Sequence, residues 1–167
     1  NTPPEKLQQP VVETPTKSDL DITGYTRKYG PNAKLVKDAC VAAGITNPFS
    51  INAIIANCVK ESKLRPIEED LNYTNLPRLR QIFGTATKNL SDQEASALLN
   101  NPVALGNFVY DNKNGNGVGE GYAYRGRGFI QLTFKNNYNR VGRIIGVDLV
   151  RDPDLLLIED NSAKAAV

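Results

Sequence analysis

The sequence predicts a mainly helical domain, a helical bundle around a cleft, with a small β element near residues 124–133. Three observations carry that expectation. Apolar residues recur at spacings of three and four in two successive stretches, and helix-start signals recur down the chain. Only residues 129–133 have the β-rich composition of a strand. At 167 residues with 40% apolar content, the chain suffices for one domain with one core.

Residues 1–23 hold Pro3, Pro4, Pro10 and Pro15 among Thr, Glu, Lys and Gln, a composition that buries little apolar surface. They are expected to form a linker or tail ahead of a domain spanning 24–167. Leu35, Val36, Ala39, Cys40 and Ala43 then follow helical spacing, so a helix is expected over 32–43, with Gly44 at its C-terminal cap. Ser50 is the expected cap of a second helix, whose Ile51, Ile54, Ile55, Cys58 and Val59 fill every apolar position of an amphipathic template. Further helices are expected over 76–83, after the capping box Ser91-Asp92-Gln93-Glu94, and from Asn101-Pro102 to about Tyr110. An Asn/Gly loop covers 111–121, a short strand 129–133, and a helix 136–145 stopped by Gly146. Asn161 is placed to cap a last helix at the end of the sequence.

Composition narrows the chemistry. A net charge of +2 produces no strong field of either sign, so charge points to no partner. The absence of His removes the commonest neutral-pH acid/base and metal ligand, leaving carboxylates, Tyr or Lys for proton transfer. Cys40 and Cys58 form no C-x-x-C pair and read as buried small apolar residues. No stretch approaches the ~18 to 20 apolar residues of a membrane span, and no apolar signal core opens the chain. Lacking Met even at position 1, the sequence is expected to begin inside a longer or processed product.

Three stretches can carry chemistry. Extending the second helix by a turn puts Glu61 beyond Cys58 at the edge of the apolar stripe. There desolvation would favour the protonated acid, the condition for proton donation near neutral pH. Alternatively, the helix end rotates Glu61 into solvent. Glu68-Glu69-Asp70-Leu71-Asn72-Tyr73 is either a solvated acidic loop or the source of a second carboxylate, and glycosidic hydrolysis requires such a pair. In the 129–133 strand, Gln131 and Thr133 would share one face, to orient sugar hydroxyls or a water, unless the strand is simply amphipathic.

The loop 111–121 fails as a calcium site: Lys113 blocks one register and Ala123 stands where the other needs a bidentate Glu. Its glycines do not open a helix after a strand, so no phosphate loop is supported. Arg125, Arg127, Arg140 and Arg143, on a nearly neutral chain, fit the anionic cell wall or plain solvation better than nucleic acid.

Over about residues 53–167 the sequence resembles the family 19 glycoside hydrolases, chitinase-like endolysins and tail-associated lysins of phages in particular. The carrying stretches are Lys60-Glu61-Ser62, Glu69-Asp70-Leu71-Asn72-Tyr73, Gly115-Asn116, Tyr124-Arg125-Gly126-Arg127-Gly128-Phe129-Ile130-Gln131-Leu132-Thr133 and Asn137-Tyr138. The resemblance implies a lysozyme-like α+β fold and inverting hydrolysis of β-1,4 links without a cofactor or metal. It implies Glu61 as general acid, Glu69 as general base, and Thr133 as a holder of the attacking water. Gln131, Asn137, Tyr138, Tyr73 and Arg125 would contact the sugar. Inversion implies carboxyl groups about 6.5 to 9.5 Å apart.

Departures from the family pattern concern the loop and its flanks. Lys63-Leu64 replaces Gly-Gly, and the segment up to Glu69 is about one residue short, which makes Glu68 the alternative base. Asp70 replaces Asn, and Phe134-Lys135 replaces Gly-Arg. The family continues where this sequence stops, so the domain is expected to be truncated at its C-terminal end. The resulting expectation is a peptidoglycan hydrolase of phage lysis or wall penetration, in the virion tail or baseplate or released in the host to reach the periplasmic wall. Bacterial peptidoglycan is the expected partner, with tail or baseplate proteins joined through the N-terminal segment. A chitinase and a catalytically degenerate wall-binding tail module are the alternatives.

Overall fold

The computed structural model describes residues 21–167, which are mainly helical. The Pro-rich stretch expected over 1–23 lies, up to residue 20, outside the described residues. Helices α1 (Thr23–Tyr29), α2 (Asn32–Ala42) and α3 (Pro48–Ser62) come first. α4 (Leu76–Ile82), α5 (Gly84–Thr87), α6 (Asp92–Ser96) and α7 (Pro102–Tyr110) follow, then α8 (Lys135–Ile145), a 3-10 turn (Pro153–Leu157) and α9 (Glu159–Ala165). No helix among the described residues is long and apolar enough to cross a membrane.

Local chemistry sets the helix ends. α2 ends as expected: Gly44 takes φ 81°, its N–H bonds Val41 O and the Ile45 N–H bonds Cys40 O, the paired closure that a left-handed residue allows. α3 starts earlier than expected. Asn47, not Ser50, is its cap, accepting from the Phe49 and Ser50 amides at 2.9 and 3.3 Å, and Pro48 fills the first turn where no N–H is needed. The Ser91–Glu94 capping box and the Asn101 cap form as expected. Asn161 does not cap α9, which starts at Glu159; its amide instead donates to Leu155 O.

The expected 129–133 strand is absent. Gly128 (φ 77°) and Gln131 (φ 52°) both take left-handed backbone, folding 128–131 into a tight turn closed by reciprocal bonds between Arg127 and Leu132 at 3.1 and 2.8 Å. β character survives as isolated bridges, Glu68 to Arg127 and Arg127 to Leu132. Gly128 is required twice over. Its φ suits glycine, and a Cβ there would sit 2.8 Å from Ser162 Oγ.

Three apolar clusters form the interior. The first joins α2, α3 and α9 through Val36, Cys40, Ile51, Ile55, Cys58, Leu64, Phe129 and Ala163. Full burial of Ile51 and Ile55, both on α3, contributes about 1.5–3 kcal/mol each to this cluster. Both cysteines are free and buried, and burial pushes the Cys58 thiol up to about 12. The second cluster holds Tyr124, Leu132, Tyr138, Leu149 and Leu156; the third holds Leu71, Leu79, Leu105 and Val109. Two irregular segments stitch them together. Residues 64–71 run from the first cluster to the third, and residues 124–132 tie the second to the first.

Candidate active site

The stitching segments are bonded to each other, and the candidate residues lie along that seam. Ser62, buried at the end of α3, donates to Phe129 O at 3.0 Å, while the Phe129 amide donates to Ser162 Oγ at 2.6 Å. Ile67 O accepts from the Gly128 amide at 2.9 Å and from Gln131 Nε2 at 2.9 Å. The Glu69 amide donates to Gly126 O at 2.8 Å. The chain on either side of Glu61 and Glu69 is therefore pinned to one turn, 126–131.

Glu61 lies in the last turn of α3, but the helix sends Ser62 into the core and leaves Glu61 exposed. The buried stripe is Ile51, Ile55, Cys58 and Ser62, so Glu61 falls one position outside it and burial does not desolvate it. Its carboxylate makes no hydrogen bond or ion pair among the described residues.

Glu68 and Glu69 point to different partners. Glu68 pairs with Arg125 and lies 3.8 Å from Arg127. Glu69 is half-buried and accepts from the Tyr110 hydroxyl, which lies 2.8 Å from Oε1 and 2.9 Å from Oε2. The Gly126 amide donates more weakly to Glu69 Oε2 at 3.4 Å. Burial, and then the Glu69 carboxylate, push the Tyr110 phenol above its ordinary value, which keeps it a proton donor. Tyr73, stacked edge-on against Phe83 at 5.4 Å, is raised by the same two causes and thus shares the surroundings of Glu69.

Thr133 and Gln131 stand beside the same glycine: a Cβ on Gly126 would lie 2.9 Å from Gln131 Oε1 and 3.5 Å from Thr133 Oγ1. Glu69, Gly126, Gln131 and Thr133 thus form one wall. Gln131 spends its amide N–H groups on Ile67 O and Gly128 O, and the Thr133 hydroxyl donates to Gln131 O at 2.9 Å. Thr133 Oγ1 retains its capacity to accept, as needed to orient a water. Asn137 braces the wall by donating to Thr133 O at 2.8 Å.

Two residues expected at the sugar are buried. Tyr138 is fully enclosed, its hydroxyl donating to Arg125 O at 2.7 Å and accepting from Arg127 Nη1 at 3.2 Å, and burial pushes its phenol up to about 12. Tyr138 packs inward from α8, in the same cluster as the partly buried Val141 and Ile145. Arg125 is 6% exposed, lies 3.9 Å over the Tyr122 ring and donates to Tyr122 O at 2.9 Å. Both support the wall from behind. Arg127 does likewise through Ala123 O at 2.7 Å; its Nε lies 2.9 Å from Asp154 as an ion pair whose N–H is not aimed at the oxygen.

A groove of about 930 Å3 between α1 and α2 and a pocket of about 350 Å3 beside α8 contain neither Glu61 nor Glu69.

The mainly helical architecture agrees with the lysozyme-like, mainly helical fold class expected from the sequence. Residues 99–166 match the family described as Chitinase class I, glycosyl hydrolase family 19. A glycosyl hydrolase family 19 domain-containing protein of Haemophilus influenzae is 35% identical over 130 residues, covering 75% of this chain and 62% of that protein. Endochitinase 1 of Theobroma cacao is 58% identical over 36 residues (22% of this chain, 11% of that one). The acidic 27 kDa endochitinase of Solanum lycopersicum is 50% identical over 56 residues (33% and 22%). The matches thus span at most about 62% of the length of these relatives. The chain is thus similar, over these stretches, to glycosyl hydrolase family 19 and chitinase domains. The family match contains Tyr110, Arg125, Gln131, Thr133, Asn137 and Tyr138, and begins after Glu61, Glu68 and Glu69.

Proposed function

We propose that this domain hydrolyses β-1,4 links of bacterial peptidoglycan by inverting acid/base catalysis, with Glu61 as the acid and Glu69 as the base. The observation that carries the reading is the pinning of both carboxylate-bearing segments to the 126–131 turn, through Ser62 to Phe129 and Glu69 to Gly126. Glu61, exposed and unpaired, is open to a glycosidic oxygen. Glu69, its hydroxyl partner on one side and Thr133 on the same wall, is placed to take a proton from a water held there. Glu68 is the weaker candidate for base because Arg125 and Arg127 already neutralise it. The resemblance to phage lysins supports the wall substrate, and with it a role in phage lysis or wall penetration from the virion or within the host. The names of the plant relatives favour chitin as the second reading, since both polymers present N-acetylglucosamine.

The test is release of soluble fragments from purified peptidoglycan and from chitin by the wild type and by Glu61→Gln, Glu68→Gln and Glu69→Gln. Loss in Glu61→Gln and Glu69→Gln, with activity kept in Glu68→Gln, is expected. Binding to walls without fragment release by the wild type would instead support a degenerate wall-binding module.

A further inference from the structure

We infer that Tyr110, braced by Phe134, is a positioning residue that fixes the plane of the Glu69 carboxylate, an inference that rests on Glu69 being the base proposed above. Tyr110 is the last residue of α7, and its hydroxyl sits nearly midway between the two carboxylate oxygens of a residue 41 positions earlier. A phenol in that place restricts rotation of the carboxylate and leaves its outer lone pairs for a water. The Tyr110 ring is itself held. Phe134 meets it edge-to-face, centroids 5.6 Å apart and planes at 88°.

Phe134 adopts φ 76° and ψ 138°, a backbone conformation that side-chain-bearing residues rarely take. It is kept there by the hydrogen bond that its N–H donates to Tyr124 O at 2.9 Å, and its carbonyl accepts from the Asn137 and Tyr138 amides that start α8. The buried Asn116 then clamps the two ring-bearing segments together. Its Nδ2 donates to Tyr110 O at 2.9 Å, and its Oδ1 accepts from the Lys135 amide at 2.8 Å. Outside this arrangement a Phe at such a backbone position has no evident benefit. Within it, the strained residue presents its ring to the phenol that holds the base.

The experiment compares wild type, Tyr110→Phe, Phe134→Leu and Glu69→Gln for kcat and KM on soluble chito-oligosaccharides and on peptidoglycan fragments. Tyr110→Phe keeps the ring and its stacking, so the expected result is a kcat lower by about ten- to a hundredfold with KM within about twofold. Phe134→Leu is expected to lower kcat in the same direction by a smaller factor. In parallel, NMR of 13C-labelled tyrosine follows the ionisation of Tyr110, whose midpoint is expected to fall in Glu69→Gln once the neighbouring negative charge is removed. Wild-type kcat in Tyr110→Phe alongside an inactive Glu69→Gln would overturn this inference and leave the base assignment standing. Full activity in Glu69→Gln would overturn both, and an unchanged Tyr110 midpoint in that variant would overturn the contact itself.

Discussion

Glu61 and Glu69 are near neighbours in the chain and are held in opposite ways. Glu61 stands on the last turn of a regular, well-capped helix, exposed, its carboxylate without a hydrogen-bond partner among the described residues. Glu69 stands on an irregular segment, yet a phenol and a backbone amide hold its side chain, and the Gly126 carbonyl holds its own amide. Regular secondary structure therefore positions the backbone of one carboxylate, and a hydrogen-bonded seam positions the whole of the other. The difference suits the proposed chemistry. An acid that must meet a moving glycosidic oxygen gains from freedom, whereas a base that must line up a small water gains from a fixed carboxylate.

The comparison can be broken most directly at the carboxylates. Glu61→Gln and Glu69→Gln are each expected to lower the hydrolytic rate by roughly 10²- to 10⁴-fold with little change in melting temperature, as read by fragment release and calorimetry. A smaller effect is expected behind the wall. Arg127→Met removes a buried donor from Ala123 O and the Tyr138 hydroxyl, and chemical denaturation should show a loss of about 3 kcal/mol. Smaller again is Gly128→Ala, which forces a methyl group into the turn at positive φ against Ser162 Oγ. It should cost about 1–3 kcal/mol and reduce kcat, because both carboxylate segments hang on that turn. The smallest effect sharpens the comparison by locality. Ser91→Ala deletes the α6 cap, remote from the seam, and should cost about 1 kcal/mol in denaturation while leaving kcat unchanged.

How much of this was legible follows from what each part is made of. α2, α4, α6, α7 and α8 could be read to within a residue or two because periodic apolar faces, prolines and Asn or Ser caps are local signals. α1 buries none of its residues fully and α5 spans a single turn, so neither leaves a pattern to read. The 128–131 turn was concealed by composition: Phe, Ile and Leu suggest a strand, and a non-glycine residue with left-handed backbone at Gln131 gives no warning. Arg125 looked like a surface cation, and its burial depends on Glu68 and Tyr122, contacts set by the tertiary fold. Burial of Tyr138 could have been inferred, since Tyr138, Val141 and Ile145 follow helical spacing on one face of α8. Tyr110 had no such signal. Nothing in the chain connects a helix-end tyrosine to a carboxylate 41 residues away.

The central claim, an acid and a base acting across one turn, is tested most directly by the stereochemistry of its product. Proton NMR of a β-1,4-linked N-acetylglucosamine oligosaccharide, recorded during the first minutes of cleavage by the wild type, reports which anomer forms before mutarotation. The account predicts that the α-anomer appears first, because a water activated by Glu69 attacks the face opposite the bond that Glu61 protonates. Initial release of the β-anomer would contradict it, since retention requires a nucleophilic carboxylate and a covalent intermediate in place of a base and a water.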